Sequence, residues 1–215
     1  TPGHQINVVS VNYGFTSGGS VNPGVTIFNS ATPLIETLFN NTNSPIDVVY
    51  EFNVTTPGTT PICPLTPVSQ FVTVRVYPDP TFVITDNTGG GSGTICSGAQ
   101  TNILLNTAIS GGQIRLKSVT YGAVTGTLTP GILFTNGQTI NEVLVNNTSA
   151  AISVAYEFEA IVGSCGPSVS QTTSVLVNPN PNVVALPASQ TICSGAVTSI
   201  GLSTTNGVVG VTYSW

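Results

Sequence analysis

Cysteine carries the clearest chemical signature in this chain. Its 215 residues hold four, Cys63, Cys96, Cys165 and Cys193, with no Cys-x-x-Cys pair and no histidine close to any of them. A zinc site needs Cys and His clustered at ligand spacing, so these thiols read instead as a disulfide framework. The acids suggest other chemistry. Asp79 and Asp86 have the oxygen ligands that hold Ca²⁺ in extracellular arrays, but the matching stretch further on offers only Asn180, so they read as solvated turn residues and no metal is expected. Glu51 and Glu157 each sit between aromatic residues. They have the residue type for general acid–base work, yet strand alternation turns each away from its aromatic neighbours, and solvated carboxylates are the expectation. His4 has no second group to hold it as a base. Tyr13, Tyr121, Tyr213 and Trp215 could form a sugar-stacking platform, although aromatics at such positions more often fill a sandwich core. Asn40, Asn53 and Asn146 head Asn-x-Thr sequons. No nucleophile, base and orienting group come together, so neither an enzyme nor a cofactor is expected.

These residues are organised by repetition. Thr-Ile-Cys-Ser-Gly occurs at Thr94–Gly98 and again at Thr191–Gly195, an offset of 191 − 94 = 97 residues. Other pairs keep the same order: Tyr13-Gly14 with Tyr121-Gly122 at 108, Glu36 with Glu142 and Tyr50-Glu51-Phe52 with Tyr156-Glu157-Phe158 at 106, and Cys63 with Cys165 at 102. Small drifts of this kind are what loop insertions between strands of fixed register produce. The period is that of an immunoglobulin-like sandwich and too long for a helical or leucine-rich solenoid unit. Three stretches follow: an incomplete sandwich over 1–79 that lacks its first strands, a complete one over 80–180, and the start of a third over 181–215. The window reads as a segment of a longer polypeptide.

The strands that must position the residues follow from alternation and punctuation. Ile46, Val48, Tyr50, Phe52 and Val54 alternate with Asp47, Val49, Glu51 and Asn53, and Ile152–Val162 repeats the pattern, which places Tyr50, Phe52, Tyr156 and Phe158 in the core. A Gly/Pro-rich turn with Cys63 or Cys165 leads to a partner strand at Val68–Val76 or Val169–Val177, resembling a sandwich F–G hairpin. Pro78 and Pro80, or Pro179 and Pro181, then end the strand. Gln5–Phe15, Val25–Phe28, Leu34–Phe39, Thr81–Thr85, Thr101–Asn106, Gln113–Tyr121, Asn182–Leu186 and Thr198–Ser203 complete the expected strands, and Asp86–Gly93 is a Gly-rich loop. No segment has a helical period. The fold class is all-β, tandem immunoglobulin-like sandwiches.

Charge narrows the function. Arg75, Arg115 and Lys117 are the only basic residues against eight acids, and a net charge of −5 argues against nucleic acid or anionic membrane as partner. No apolar run approaches the length of a membrane helix. Sparse Lys and Arg with paired cysteine positions suit an extracellular life.

Two disulfide schemes are open. Cys96–Cys165 lies within one repeat, and closing that loop would contribute about 4 kcal/mol. If Thr81–Thr85 is the first strand, however, the two lie at opposite ends of the sandwich, about 33 Å apart along a ten-residue strand. Sulfurs need Cα atoms within about 7 Å, so each cysteine would then bond to a neighbouring repeat.

Thr-Ile-Cys-Ser-Gly, the Tyr-Glu-Phe strand, the Cys-bearing turn, the closing Val-Asn-Pro-x-Pro and the Tyr-x-Trp ending at Trp215 together resemble the PKD-like, immunoglobulin-like repeats of giant Bacteroidetes cell-surface adhesins, among them the gliding-motility adhesin of flavobacteria. Phe15 and Ala123 stand where the third repeat has Trp215. The resemblance implies a filament exported by type 9 secretion, attached at the outer membrane and moved by the gliding motor. Its partners would be neighbouring repeats and a surface polysaccharide or other adhesion target. The expected function is thus a structural or adhesive stalk; the alternative is a carbohydrate-binding or spacer module of a large secreted enzyme.

Overall fold

The computed structural model describes residues 5–24, 27–28, 31–55, 69–168, 170–208 and 210–214. Its elements are strands and one short 3₁₀ turn at Thr88–Gly91, an all-β architecture of immunoglobulin-like sandwich type. The chain forms two compact units: unit 1 comprises Thr1–Thr81 with Ala108–Gly112 and Ile161–Ser168, and unit 2 comprises Phe82–Thr107, Gln113–Ala160 and Val169–Trp215.

Unit 1 is built on β1 (Gln5–Asn12), β2 (Ile27–Phe28), β3 (Ile46–Thr55) and β4 (Gln70–Val76), in the spatial order β2-β1-β3-β4. All its pairings are antiparallel, with Tyr50 opposite Val72 and Asp47 opposite Arg75. Alternation along β3 buries Val48 and Tyr50 and leaves Phe52 half-buried, while Val54 at the strand's end is 53% exposed. Leu34–Phe39 is not a strand; it joins the ladder only through the Ser17–Phe39 bridge. Irregular backbone there lets Glu36 reach side chains and loop amides that a straight strand would pass by.

Unit 2 contains β5 (Val83–Asp86), β6 (Thr94–Cys96), β7 (Ile103–Asn106), β8 (Gln113–Thr120), β9 (Val124–Thr125), β10 (Leu133–Phe134), β11 (Gln138–Ile140), β12 (Val145–Asn146), β13 (Ile152–Ile161) and β14 (Gln171–Asn178), followed by β15 (Val184–Leu186) and β16 (Gly201–Ser203). One sheet has the order β10-β8-β13-β14-β6, the facing sheet β11-β7-β5, and β9 and β12 form a short ribbon. The β6 strand lies parallel to β14, pairing Thr94, Ile95 and Cys96 with Leu176, Val177 and Asn178. β15 and β16 make a separate hairpin.

Between the two sheets lies one apolar cluster, with Phe82, Ile103 and Leu105 from one side and Val154, Tyr156, Phe158 and Val175 from the other. Tyr156 and Phe158 stack at 6.3 Å and Phe134 meets Phe158 edge-on at 6.2 Å, both geometries favoured by ring quadrupoles. In unit 1, Tyr50 and Phe52 stack in the same way at 6.2 Å. Glu159 departs from the expected alternation. It sits on the outward face yet is 5% exposed, because Arg115 of the neighbouring β8 folds over it with Nε at 2.7 Å.

Candidate functional site

The most concentrated polar chemistry is a carboxylate held between two tyrosines, built once in each unit. In unit 2, Glu142 lies between β11 and β12 and is 4% exposed. Its Oε1 accepts from the Tyr121 hydroxyl at 2.5 Å, from Leu128 N–H at 2.8 Å and from Thr127 N–H; its Oε2 accepts from the Tyr156 hydroxyl at 2.7 Å. The Leu128 N–H also donates to the Tyr121 oxygen at 2.8 Å. Gly126 makes room for this, since a Cβ there would lie 2.0 Å from the Tyr121 ring.

Unit 1 repeats the arrangement. Glu36 Oε1 accepts from Tyr13 at 2.8 Å, Ser20 N–H at 2.6 Å and Val21 N–H at 2.7 Å, and Oε2 accepts from Tyr50 at 2.6 Å. A Cβ on Gly19 would meet the Tyr13 ring at 2.2 Å.

Electrostatics decides what the cluster can do. Burial pushes the Glu142 carboxyl up, but the hydrogen bonds from Tyr121, Tyr156, Thr127 and Leu128 together outweigh it and hold the group below its ordinary range. The same balance takes Glu36 down to about 2. Desolvation, reinforced by the carboxylate, pushes Tyr121 and Tyr156 up. A general acid needs a raised carboxyl with a lone pair or proton facing a substrate, and this geometry provides the reverse. The carboxylate is saturated by the chain's own donors, so the cluster clamps the loop between β9 and β10 to the end of β8 and to β13.

Beside each clamp sits an asparagine lock. The Asn146 amide nitrogen donates to Ala150 O at 2.8 Å and Val177 O at 2.7 Å, while its Oδ1 accepts from Thr148 N–H at 3.0 Å and Thr148 Oγ1 at 2.7 Å. Asn40 does the same with Ser44 O, Val76 O and Thr42. At the Asn40 and Asn146 sequons the Thr completes an Asx turn, and both amides are buried and occupied. Asn53 pairs with Asn7 across the β1–β3 ladder.

The remaining sequence-derived residues separate. Glu157 receives Lys117 at 2.7 Å and Ser118 at 3.0 Å, and Lys117, the largest influence, keeps its carboxyl low. Glu51 is held by Ser69 and Ser10. Arg75 grips Asp47 with two bonds of 2.8 Å, so each of the three basic residues is matched to an acid. Asp79 is exposed, whereas Asp86 accepts from Thr88 N–H at 2.9 Å within the Gly-rich loop. No cluster able to hold a metal forms among the described residues. Tyr121 is half-buried against the core. His4, Cys63 and Trp215 lie outside the described residues.

The bond Cys96–Cys165 is not made: Cys96, Cys165 and Cys193 are free. Cys96 pairs with Asn178 at the end of β14, while Cys165 lies in the turn that precedes β14. The seven steps from Gln171 to Asn178 span about 23 Å, far beyond disulfide reach. After air oxidation, peptide mass spectrometry of the native protein should find no Cys96–Cys165 cross-link; recovering one would show that the ends of β14 approach each other.

A family model of the PKD-like domain matches residues 93–181, which run from the residue before β6 through both the Glu142 clamp and the Asn146 lock to the proline after β14. No curated protein matches the chain.

Proposed function

With a PKD-like domain at residues 93–181 as the premise, we propose that the chain is a segment of a structural and adhesive stalk in a long bacterial cell-surface filament. The repeats would be 1–79, 80–180 and 181–215. The observation that carries this reading is the duplication of the clamp and the lock at offsets of 106 to 108 residues, since two copies of one structural device with saturated polar groups suit a spacer. The finer identity proposed is an outer-membrane-attached adhesin of Bacteroidetes type, exported by type 9 secretion and, in its most specific form, moved in gliding. Weak contacts repeated along its length would supply avidity for a surface polysaccharide or similar target. Each cysteine would bond to a neighbouring repeat, because Cys96 and Cys165 mark opposite ends of β14.

A carbohydrate-binding module would require a row of exposed aromatics repeated on one face. Unit 1 exposes Phe15, Phe39 and Phe71, but no aromatic among the described residues of unit 2 is comparably exposed.

Beads coated with antibody against Thr94–Gln190 test the proposal on intact, surface-attached cells. Bound beads are expected, and bound beads that travel would support the gliding adhesin. Label confined to the medium would overturn the stalk in favour of a secreted enzyme's module.

A further inference from the structure

Two motifs that stand out in the sequence, Thr-Ile-Cys-Ser-Gly at Thr94–Gly98 and Pro179-Asn180-Pro181, meet at one end of unit 2. Thr94, Ile95 and Cys96 run parallel to Leu176, Val177 and Asn178. Hydrogen bonds bracket that short ladder: Leu176 N–H donates to Gly93 O at 2.8 Å, and Ser97 N–H donates to Asn178 O at 2.8 Å. Asn180 then reaches back from the proline stretch, its amide nitrogen donating to Ser97 O at 2.8 Å.

Ser97 is also held from its other side. Its Oγ accepts from Asn146 N–H at 2.9 Å, and the next residue, Gly98, donates its N–H to Leu144 O at 2.8 Å. Gly98, at φ 87°, turns the chain so that Ala99 N–H closes on Cys96 O at 3.1 Å. The second copy of the motif makes the same turn, with Gly195 at φ 86° and Ala196 N–H on Cys193 O at 3.0 Å. The motif thus codes for a strand that stops in a fixed turn, and in unit 2 the turn is tied to the point where the chain leaves β14.

The direction of the strands gives this tie a mechanical meaning. The chain enters unit 2 beside the start of β14, where the Gln171 side chain donates to Phe82 O at 2.8 Å, and it leaves past the other end, after Asn178. Tension along the chain therefore reaches β6 from its Thr94 end and β14 from its Asn178 end. Because the two strands are parallel, these pulls oppose each other along the strand axis. The ladder bonds and the Asn180–Ser97 bond are then loaded together and must break together, whereas bonds peeled from one end break singly.

We propose that Thr94–Ser97, the end of β14 and Asn180 form a tension-bearing latch that keeps unit 2 folded while force passes along the chain. The source of the force rests on the stalk reading; the latch is a property of unit 2 alone. Forced unfolding is governed by the unfolding rate, so it responds most to bonds already broken in the transition state.

Optical tweezers holding the 215-residue protein by its two ends at constant tension test the latch, with unit 2 recognised by the length of chain it releases. Asn180→Ala should unfold unit 2 about fivefold faster at the same tension, because the whole loss of one hydrogen bond falls on the unfolding rate. Ser97→Ala, which takes the acceptor from Asn146 N–H, should act in the same direction. Lys117→Ala removes exposed bonds to Glu157 and Ser170 away from β6, and it should leave the rate under tension within about twofold of wild type. Circular dichroism checks that each variant is folded, and urea unfolding gives its equilibrium loss for comparison. Latch variants that unfold at the wild-type rate under tension overturn the proposal, as does a Lys117→Ala protein accelerated as much as they are. Neither result touches the bead experiment, and beads that fail to bind cells would leave the latch in place.

Discussion

Replacing Glu142 with alanine should lower the stability of unit 2 by roughly 4–6 kcal/mol, a large share of what a domain of this size possesses. The substitution strands the Tyr156 hydroxyl and the Thr127 N–H and leaves the Tyr121 hydroxyl and the Leu128 N–H with only each other's residue as partner, all around a carboxylate that is 4% exposed. Each buried donor left without an acceptor costs about 1–3 kcal/mol, and water entering the gap recovers only part of it. Glutamine should be milder, at about 1–2 kcal/mol, because its oxygen can keep the loop donors and its amide can donate to the Tyr156 oxygen. Urea unfolding followed by circular dichroism measures both. A Glu142→Ala protein with an unchanged midpoint would remove the clamp from the account of the fold.

The same pair separates charge from shape through pH. A carboxyl held low in the folded state adds stability that is present above its unfolded value of about 4.3 and is lost as pH falls through the folded value. Glu142 and Glu36 both act in this sense, with Glu36 reaching about 2. The tyrosines act at the other end: their raised values add stability that is full below about 10 and is lost as pH rises through the folded values. Stability should therefore be flat from about pH 5 to 9 and fall on both sides. Glu142→Gln should flatten the acid limb of unit 2, whereas the limb due to Glu36 persists.

Asn146→Ala should cost about 3 kcal/mol, although the residue is neither apolar nor catalytic. Its amide satisfies the carbonyls of Ala150 and Val177, and its oxygen satisfies two donors of Thr148, all at a site 3% exposed. Asn146→Asp is the sharper test. Aspartate keeps the acceptor for Thr148 but turns a carboxylate oxygen towards two carbonyl oxygens, so at neutral pH it should destabilise at least as much as alanine. On acidification the protonated acid can donate to one of them, and the Asp protein should recover relative to Ala. If thermal melting shows Asp matching wild type at neutral pH, the amide donors are not needed.

Much of the architecture was legible because strands obey a short rule. Alternation over Ile46–Val54 and Ile152–Val162 placed Tyr50, Tyr156 and Phe158 in buried positions, and the observed β3 and β13 begin at the expected residues. Gly and Pro clusters marked the turns, and the Pro-x-Pro stretches follow β4 and β14 closely. The candidate site was visible only as a coincidence of spacing. Glu36 with Glu142, Tyr13 with Tyr121 and Tyr50 with Tyr156 recur at nearly one offset, which signals that each set is needed together, but nothing local says that they touch. Leu34–Phe39 misled because four of its six residues are apolar and a turn cluster follows it, as for a short strand, while its work is to deliver Glu36.

By itself the sequence determined the all-β class, the strand cores and the recurrence of the same residues about a hundred positions apart, because periodicity and turn chemistry act over a few neighbours. Tertiary structure alone decided that a recurring glutamate lies between two tyrosines, that two sequons are buried Asx turns, and that Cys96 and Cys165 stand at opposite ends of a strand. It also decided which residues are covered: Glu157 and Glu159 share the outward face of β13, yet the first is half-buried and the second, beneath Arg115, is 5% exposed. Burial belongs to what packs across the sheet, and no residue carries that information along the chain.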